Sequence, residues 1–179
     1  MIRPDLFDCA AAALTYPGEN FRESVRGLAE ALGADPAGGR AADLVRAFEA
    51  ETSRNDCAQL EELYTRTFDL TPGISLETGW QLYGESYERG SFLVKMRGML
   101  RSLGIEEKGE LPDHLSYMLM ALGRLPVDEA GELVRKYLSK SLSKIIGNFT
   151  DAGNPYLKLL RTVSLVFEKY AIVKEDAHT

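Results

Sequence analysis

The chain has 179 residues, 45% of them hydrophobic and 27% charged, with a formal net charge of -6. This is enough sequence for one domain with a sizeable core, in the composition of an ordinary globular protein. Without a long basic run, an acidic chain is a poor partner for nucleic acid or anionic membrane surfaces, which need clustered Lys and Arg, but it tolerates a basic peptide.

Met1 to Tyr16 is predicted as a first helix, opened by Pro4 and Asp5, with Leu6, Phe7, Ala10 and Leu14 on its apolar face. Tyr16-Pro17-Gly18 ends it, because proline disfavours helix in the residue before it. A second helix spans Phe21 to Leu32, and the short stretch Gly33 to Gly39 connects it to a third, Arg40 to Glu51, which buries Val45 and Phe48. Ser53 to Asp56 holds the next cap. From there Cys57, Leu60, Leu63, Tyr64, Thr67 and Phe68 form a fourth stripe, broken at Pro72-Gly73. Ile74 to Tyr83, which carries Trp80, is ambiguous and is assigned as a short helix. Cys9 and Cys57 both fall in apolar register and read as small buried hydrophobes, since two cysteines supply neither a disulfide framework nor a zinc site.

The stretch Gly84 to Leu122 organises the rest. Ser86 is a candidate N-cap and Glu88 a first-turn acid for a helix whose inner face is Phe92, Leu93, Met96, Met99, Leu100 and Leu103. Gly90 inside that helix costs roughly 1 kcal/mol against alanine, a cost that close helix contact or a ligand backbone would offset. Gly104 supplies the left-handed residue that stops the helix. After a charged loop, Pro112 and Asp113 suit the first turn of the next helix, whose inner face is Leu115, Met118, Leu119 and Leu122. Arg89 is placed to pair with Asp69 or Asp113. A long helix from Pro126 to Ile146 ends at Gly147. Asn154-Pro155 then opens the last helix, which buries Tyr156, Leu159, Leu160, Val163, Val166, Phe167 and Tyr170. No alternating strand pattern and no repeat of fixed period appear. The fold class is therefore all-α, a single domain over 1–173 of about eight helices in an antiparallel bundle, with 174–179 as a frayed tail.

Chemistry is sparse. There are two histidines, His114 and His178, and no cluster that would hold a metal; no cofactor is expected. The glycines at 84 and 90 lack the Lys-Ser/Thr pair of a phosphate-binding loop. Asp113 and His114 are adjacent, so on a helix their side chains diverge by about 100°. They read either as a cap and a loop contact or as groove-lining residues. Tyr64, Phe68, Trp80, Tyr83 and Tyr87 concentrate aromatic area around the same stretch, most of it in the core, with any exposed member walling a groove.

Three segments carry a resemblance: Tyr64-x-x-x-Phe68-Asp69, Gly84-Glu85-Ser86-x-x-Arg89-Gly90, and Glu110-Leu111-Pro112-Asp113-His114-Leu115. Their order and spacing, over the middle third of the chain, resemble the NarJ branch of the TorD/DmsD/NarJ family of molybdoenzyme assembly chaperones. The chain departs from that pattern at Ser116, where a proline is usual, and in lacking an acidic residue at 119–121. The resemblance implies an all-helical cytoplasmic chaperone without catalysis. Its partner would be the apo catalytic subunit of a molybdenum oxidoreductase, nitrate-reductase-like, bound through its N-terminal segment and held until the molybdenum cofactor is inserted. It implies a client-binding groove at Tyr64, Phe68, Asp69, Trp80, Tyr83, Glu85, Arg89, Asp113 and His114, and a monomer or a domain-swapped dimer. With no apolar signal core and no run of about 18 apolar residues, neither export nor membrane insertion is expected. If His114 contacts the client, affinity should change across the usual imidazole titration near pH 6–7. Two other readings stand beside this one: a small all-α enzyme using Asp113 and His114 as an acid–base pair, and a structural subunit with a large exposed apolar patch.

Overall fold

The computed structural model describes residues 4–35 and 38–172, and among these the chain is all-α, with no strand beyond one isolated bridge. Helix α1 is Pro4–Ala13, α2 Phe21–Gly33 and α3 Gly39–Thr52. Helix α4, Cys57–Tyr64, runs into a π-helical turn at Thr65–Asp69. A short 3-10 turn at Pro72–Ile74 precedes α5, Thr78–Tyr83, and α6, Tyr87–Ser102. Helix α7 is Leu115–Leu122. Helix α8 runs from Val127–Leu133 through a π-helical turn, Val134–Leu138, into Ser139–Gly147, and α9 is Tyr156–Ile172.

Local signals explain most of these limits. Asp56 accepts from the Gln59 amide while the Gln59 side chain accepts from the Asp56 amide, a reciprocal cap that opens α4. Gly104 takes φ +68° after α6, the left-handed stop anticipated for it. Asn154 Oδ1 accepts from the Tyr156 amide and so caps α9. The first helix is shorter than predicted: Leu14 to Tyr16 form a turn ahead of Pro17. The helix predicted from Pro126 to Ile146 is continuous but carries the π turn.

Helix α1 packs on α2 and α7, α2 on α3, and α3 on α9. Their apolar faces make one core, in which Phe48, Leu100, Met118, Leu122, Leu138 and Leu160 are fully buried. A chain of aromatic rings crosses it. Phe21 meets Phe48 at 6.1 Å, Phe48 meets Tyr156 at 5.3 Å, Tyr156 meets Phe68 at 5.0 Å, and Phe68 meets Tyr64 at 5.1 Å. These tilted and edge-on contacts join α2, α3, α4 and α9. Burial pushes the Tyr64 and Tyr156 hydroxyls well above the usual tyrosine range, so both stay neutral.

Two cysteine expectations need correction. Cys57 is exposed and Cys9 only half-buried. Cys57 is the first residue of α4, outside the turns that the bundle covers. The frayed tail at 174–179 and His178 lie outside the described residues, as does the side chain of Tyr170.

Candidate functional site

The stretch from Leu111 to Leu115 docks on the stretch from Leu76 to Trp80 through the main chain. The Leu115 amide donates to the Leu76 carbonyl at 2.8 Å, and the Thr78 amide donates to the Asp113 carbonyl at 2.9 Å. Glu77 and His114 face each other as an antiparallel bridge. The Asp113 side chain, fully buried, completes the joint: its Oδ2 accepts from the Gly79 amide at 2.7 Å. A carboxylate thus sits at the N-terminus of α5, where the helix dipole and unpaired amides favour it. The expectation that Asp113 caps the helix following it is corrected. It caps α5, 34 residues earlier in the chain, because at Asp113 the chain is still paired with 76–78 and α7 begins only at Leu115. Burial pushes the Asp113 carboxyl up, and the Gly79 amide and Arg89 pull it part of the way back.

His114 is the residue that caps α7. Its Nδ1 accepts from the Ser116 amide at 3.3 Å and lies 2.7 Å from the Ser116 hydroxyl. The ring is 4% exposed, and burial pushes its pKa down to about 4. The expected charge change near pH 6–7 therefore does not hold for the free protein: the imidazole is already neutral there. Asp113 and His114 are turned to separate tasks, one on α5 and one on α7, and neither lines the cleft described next.

That cleft, about 380 Å³, opens in front of α5. Phe68, Pro72 and Trp80 give it apolar walls, and Asp69, Glu77 and Arg89 its charges. The π turn at the end of α4 brings Phe68 inward, where it is buried, and leaves the next residue, Asp69, exposed. The Trp80 indole N–H donates to the Pro72 carbonyl at 3.1 Å, and the Arg89 guanidinium lies 5.3 Å from the Trp80 ring centroid. Arg89 pairs with Glu77 at 2.7 Å, and not with Asp69 or Asp113 as the sequence suggested. Glu77 stands at the start of α5, beside the first turn of α6 from which Arg89 reaches, so it is the nearer carboxylate. Burial pushes the Glu77 carboxyl up, Arg89 opposes this, and Asp113 adds to it.

Of the predicted groove residues, Phe68, Asp69, Trp80 and Arg89 come together at the cleft. Tyr64 is buried behind Phe68, 2% exposed. Tyr83 packs on Phe92 in a different cleft with Tyr87 and Tyr137, and Glu85 is exposed in the turn after α5. Sequence reasoning passed over Glu77 and the neighbours that extend the surface. Glu110 is half-buried, its carboxyl pushed up by burial and then by the negative charges of Asp69 and Glu77. Leu70, Leu111 and Tyr16 are exposed at 72%, 40% and 51%. The one signal available for Glu77 was its place just before the Thr78-Gly79-Trp80 helix start. Nothing local marks Leu70 or Leu111 as exposed.

Gly79 holds the joint tight. A Cβ there would lie 2.7 Å from Asp113 Oδ2 and 2.9 Å from the Phe92 ring. Gly79→Ala should therefore destabilise by about 1–3 kcal/mol, in contrast to the gain alanine usually gives in a helix. Urea unfolding measures it, and an unchanged midpoint would mean that α5 can shift at no cost.

The all-helical body thus carries a cleft with apolar walls and three charged residues, Asp69, Glu77 and Arg89. The description nitrate reductase delta subunit matches residues 18–161, and the chain belongs to that family, a chaperone family rather than a catalytic one. No curated protein matches the chain. Among the described residues no helix is long and apolar enough to cross a membrane.

Proposed function

We propose that the protein is a cytoplasmic, system-specific chaperone for the catalytic subunit of a nitrate-reductase-like molybdenum oxidoreductase. It binds the N-terminal segment of the apo-subunit at the cleft in front of α5 and holds the subunit until the molybdenum cofactor is inserted. The observation that carries this reading is the surface around Trp80. Phe68, Pro72 and Trp80 give an aromatic and proline wall beside Asp69, Glu77 and Arg89, and Glu110 stands close enough to Asp69 and Glu77 to feel their charge. Apolar area supplies affinity for the inner face of an amphipathic helix, and the carboxylates complement basic residues on its edges. Family membership supports the choice of client.

Asp69 is the position to test, because it is exposed and its replacement should not disturb the fold. Titration calorimetry with a peptide from the N-terminus of the catalytic subunit should give micromolar binding that weakens with salt. Asp69→Lys should weaken it about tenfold or more, mainly through slower association, with an unchanged thermal transition. Equal affinity for wild type and variant would move the client elsewhere on the molecule. No binding of the peptide or of the whole apo-subunit would end the reading.

A further inference from the structure

The chain carries a net charge of -6, yet one helix runs against it. From Leu133 to Thr150 the sequence holds Arg135, Lys136, Lys140 and Lys144 and no carboxylate. All four cations are exposed, as are Ser139 and Ser143 between them, while Val134, Leu138, Leu142 and Ile145 are buried on the opposite side. The solvent side of α8 is therefore one basic strip. Lys95, exposed on α6, adds a cation beside it, its Nζ donating to the Tyr137 hydroxyl at 3.0 Å.

Contacts within the chain account for only part of the strip. Lys136 pairs with Glu132, and Lys144 donates to the Gln81 carbonyl of α5 at 2.8 Å. Among the described residues, Arg135 and Lys140 form no ion pair. Lysines four residues apart on a helix repel one another, so the row 136, 140, 144 weakens α8 in isolation. An anionic partner would relieve that repulsion.

The strip leads away from the cleft in front of α5. Asn148, the residue after α8, donates from its side chain to the Gly73 carbonyl at 2.7 Å, and Gly73 follows Pro72 of the cleft wall. From Asn148 back to Lys136 the helix covers about 18 Å, the reach of about five or six extended residues. A chain leaving the cleft past Pro72 thus meets Lys144, Lys140 and Lys136 in turn.

We propose that the solvent face of α8 binds an acidic segment of the client, adjoining the segment held in the cleft. The inference rests on the client reading given above and adds a second contact of opposite charge to it. The cleft presents exposed Asp69, and the strip presents Arg135 and Lys140. The bound client therefore carries basic residues toward α5 and carboxylates toward α8. Opposite charges at two places fix the direction in which the client lies, because the reverse direction sets like charges together at both. Exposed pairs of this kind speed association and are screened by salt.

Arg135→Glu/Lys140→Glu tests the strip, since both side chains are exposed and the melting curve should not move. At about 50 mM salt it should bind the whole apo-catalytic subunit about tenfold or more weaker than wild type, and the difference should close near about 500 mM. Arg135→Lys/Lys140→Arg should bind as wild type does. A carbodiimide joins an amine to a touching carboxylate with loss of water. It should link Lys140 or Lys144 to an Asp or Glu of the subunit, and fragment masses then name the segment. Weakened affinity without such a link overturns the proposal, because long-range attraction alone would give it. Equal affinity of wild type and the charge-reversed variant, with Asp69→Lys still weakened, overturns the strip and leaves the cleft reading standing. If no form of the chain binds the apo-subunit, both readings fall. Phosphatidylglycerol vesicles that bind wild type and not the charge-reversed variant, with subunit affinity unchanged, overturn the proposal in favour of a lipid surface.

Discussion

Asp113→Ala should lower stability by about 2–4 kcal/mol and shift Trp80, whereas Asp113→Asn should cost under about 1 kcal/mol. Alanine removes the acceptor from the buried Gly79 amide and leaves a gap behind α5. An unsatisfied buried donor costs about 1–3 kcal/mol, and the lost cap about 1 more. Asparagine keeps an acceptor oxygen in place and removes only the charge. Because burial is the largest influence on this carboxyl and pushes it up, its charge is a cost in the folded state. The folded value lies above the unfolded one, so the wild type loses stability as pH rises through the carboxylate range, and the Asn variant does not. Asparagine should accordingly gain on the wild type between acid and neutral pH. Trp80 is the only tryptophan, and its emission reports the position of α5 directly. Alanine should redden that emission and weaken client binding together, while Asn leaves both near wild type. Equal losses for Ala and Asn would make the charge, and not the hydrogen bond, the part that matters.

His114 should make the fold acid-sensitive, and His114→Asn should relieve it. In the folded chain the ring has a pKa of about 4, against an ordinary value of 6.5. A depressed base binds its proton more readily when unfolded, so acid pulls the equilibrium toward the unfolded chain. The stability is fully present above pH 6.5 and is lost as pH falls toward about 4, where both states are protonated. The difference corresponds to about 3 kcal/mol across that window. Protonation also turns Nδ1 from an acceptor into a donor facing the Ser116 amide, which removes the cap of α7. Asparagine caps helices well and has no such titration. Wild type and variant should therefore unfold at similar urea near pH 7 and diverge by about 2–3 kcal/mol near pH 4.5, the variant being the more stable. Parallel curves would mean that the ring takes up its proton without leaving its place. For client binding the corollary is a flat contribution from His114 between about pH 5.5 and 8.

The sequence by itself determined the helices, their stops and the family. Those signals are local: apolar residues three and four apart, the Asp56–Gln59 cap, left-handed Gly104, and proline after Tyr16. A periodicity of 3.6 residues needs nothing beyond its own window, so the apolar stripes could be assigned without knowing what they pack on. The motif residues were legible for the same reason, as short strings at readable spacing. What they do was not. Asp113 looked like the cap of its own helix and is the cap of α5; Arg89 looked like a partner for Asp69 or Asp113 and pairs with Glu77. Each answer depends on which segments meet after the chain has folded, at separations of 34 and 12 residues. Exposure divides the aromatic residues in the same way. Tyr64, Phe68 and Tyr87 are equally apolar in the sequence, yet the first two join the core and the last stands in solvent. Only the tertiary structure decides that, because burial belongs to the pair of surfaces that meet, and local pattern describes one surface alone.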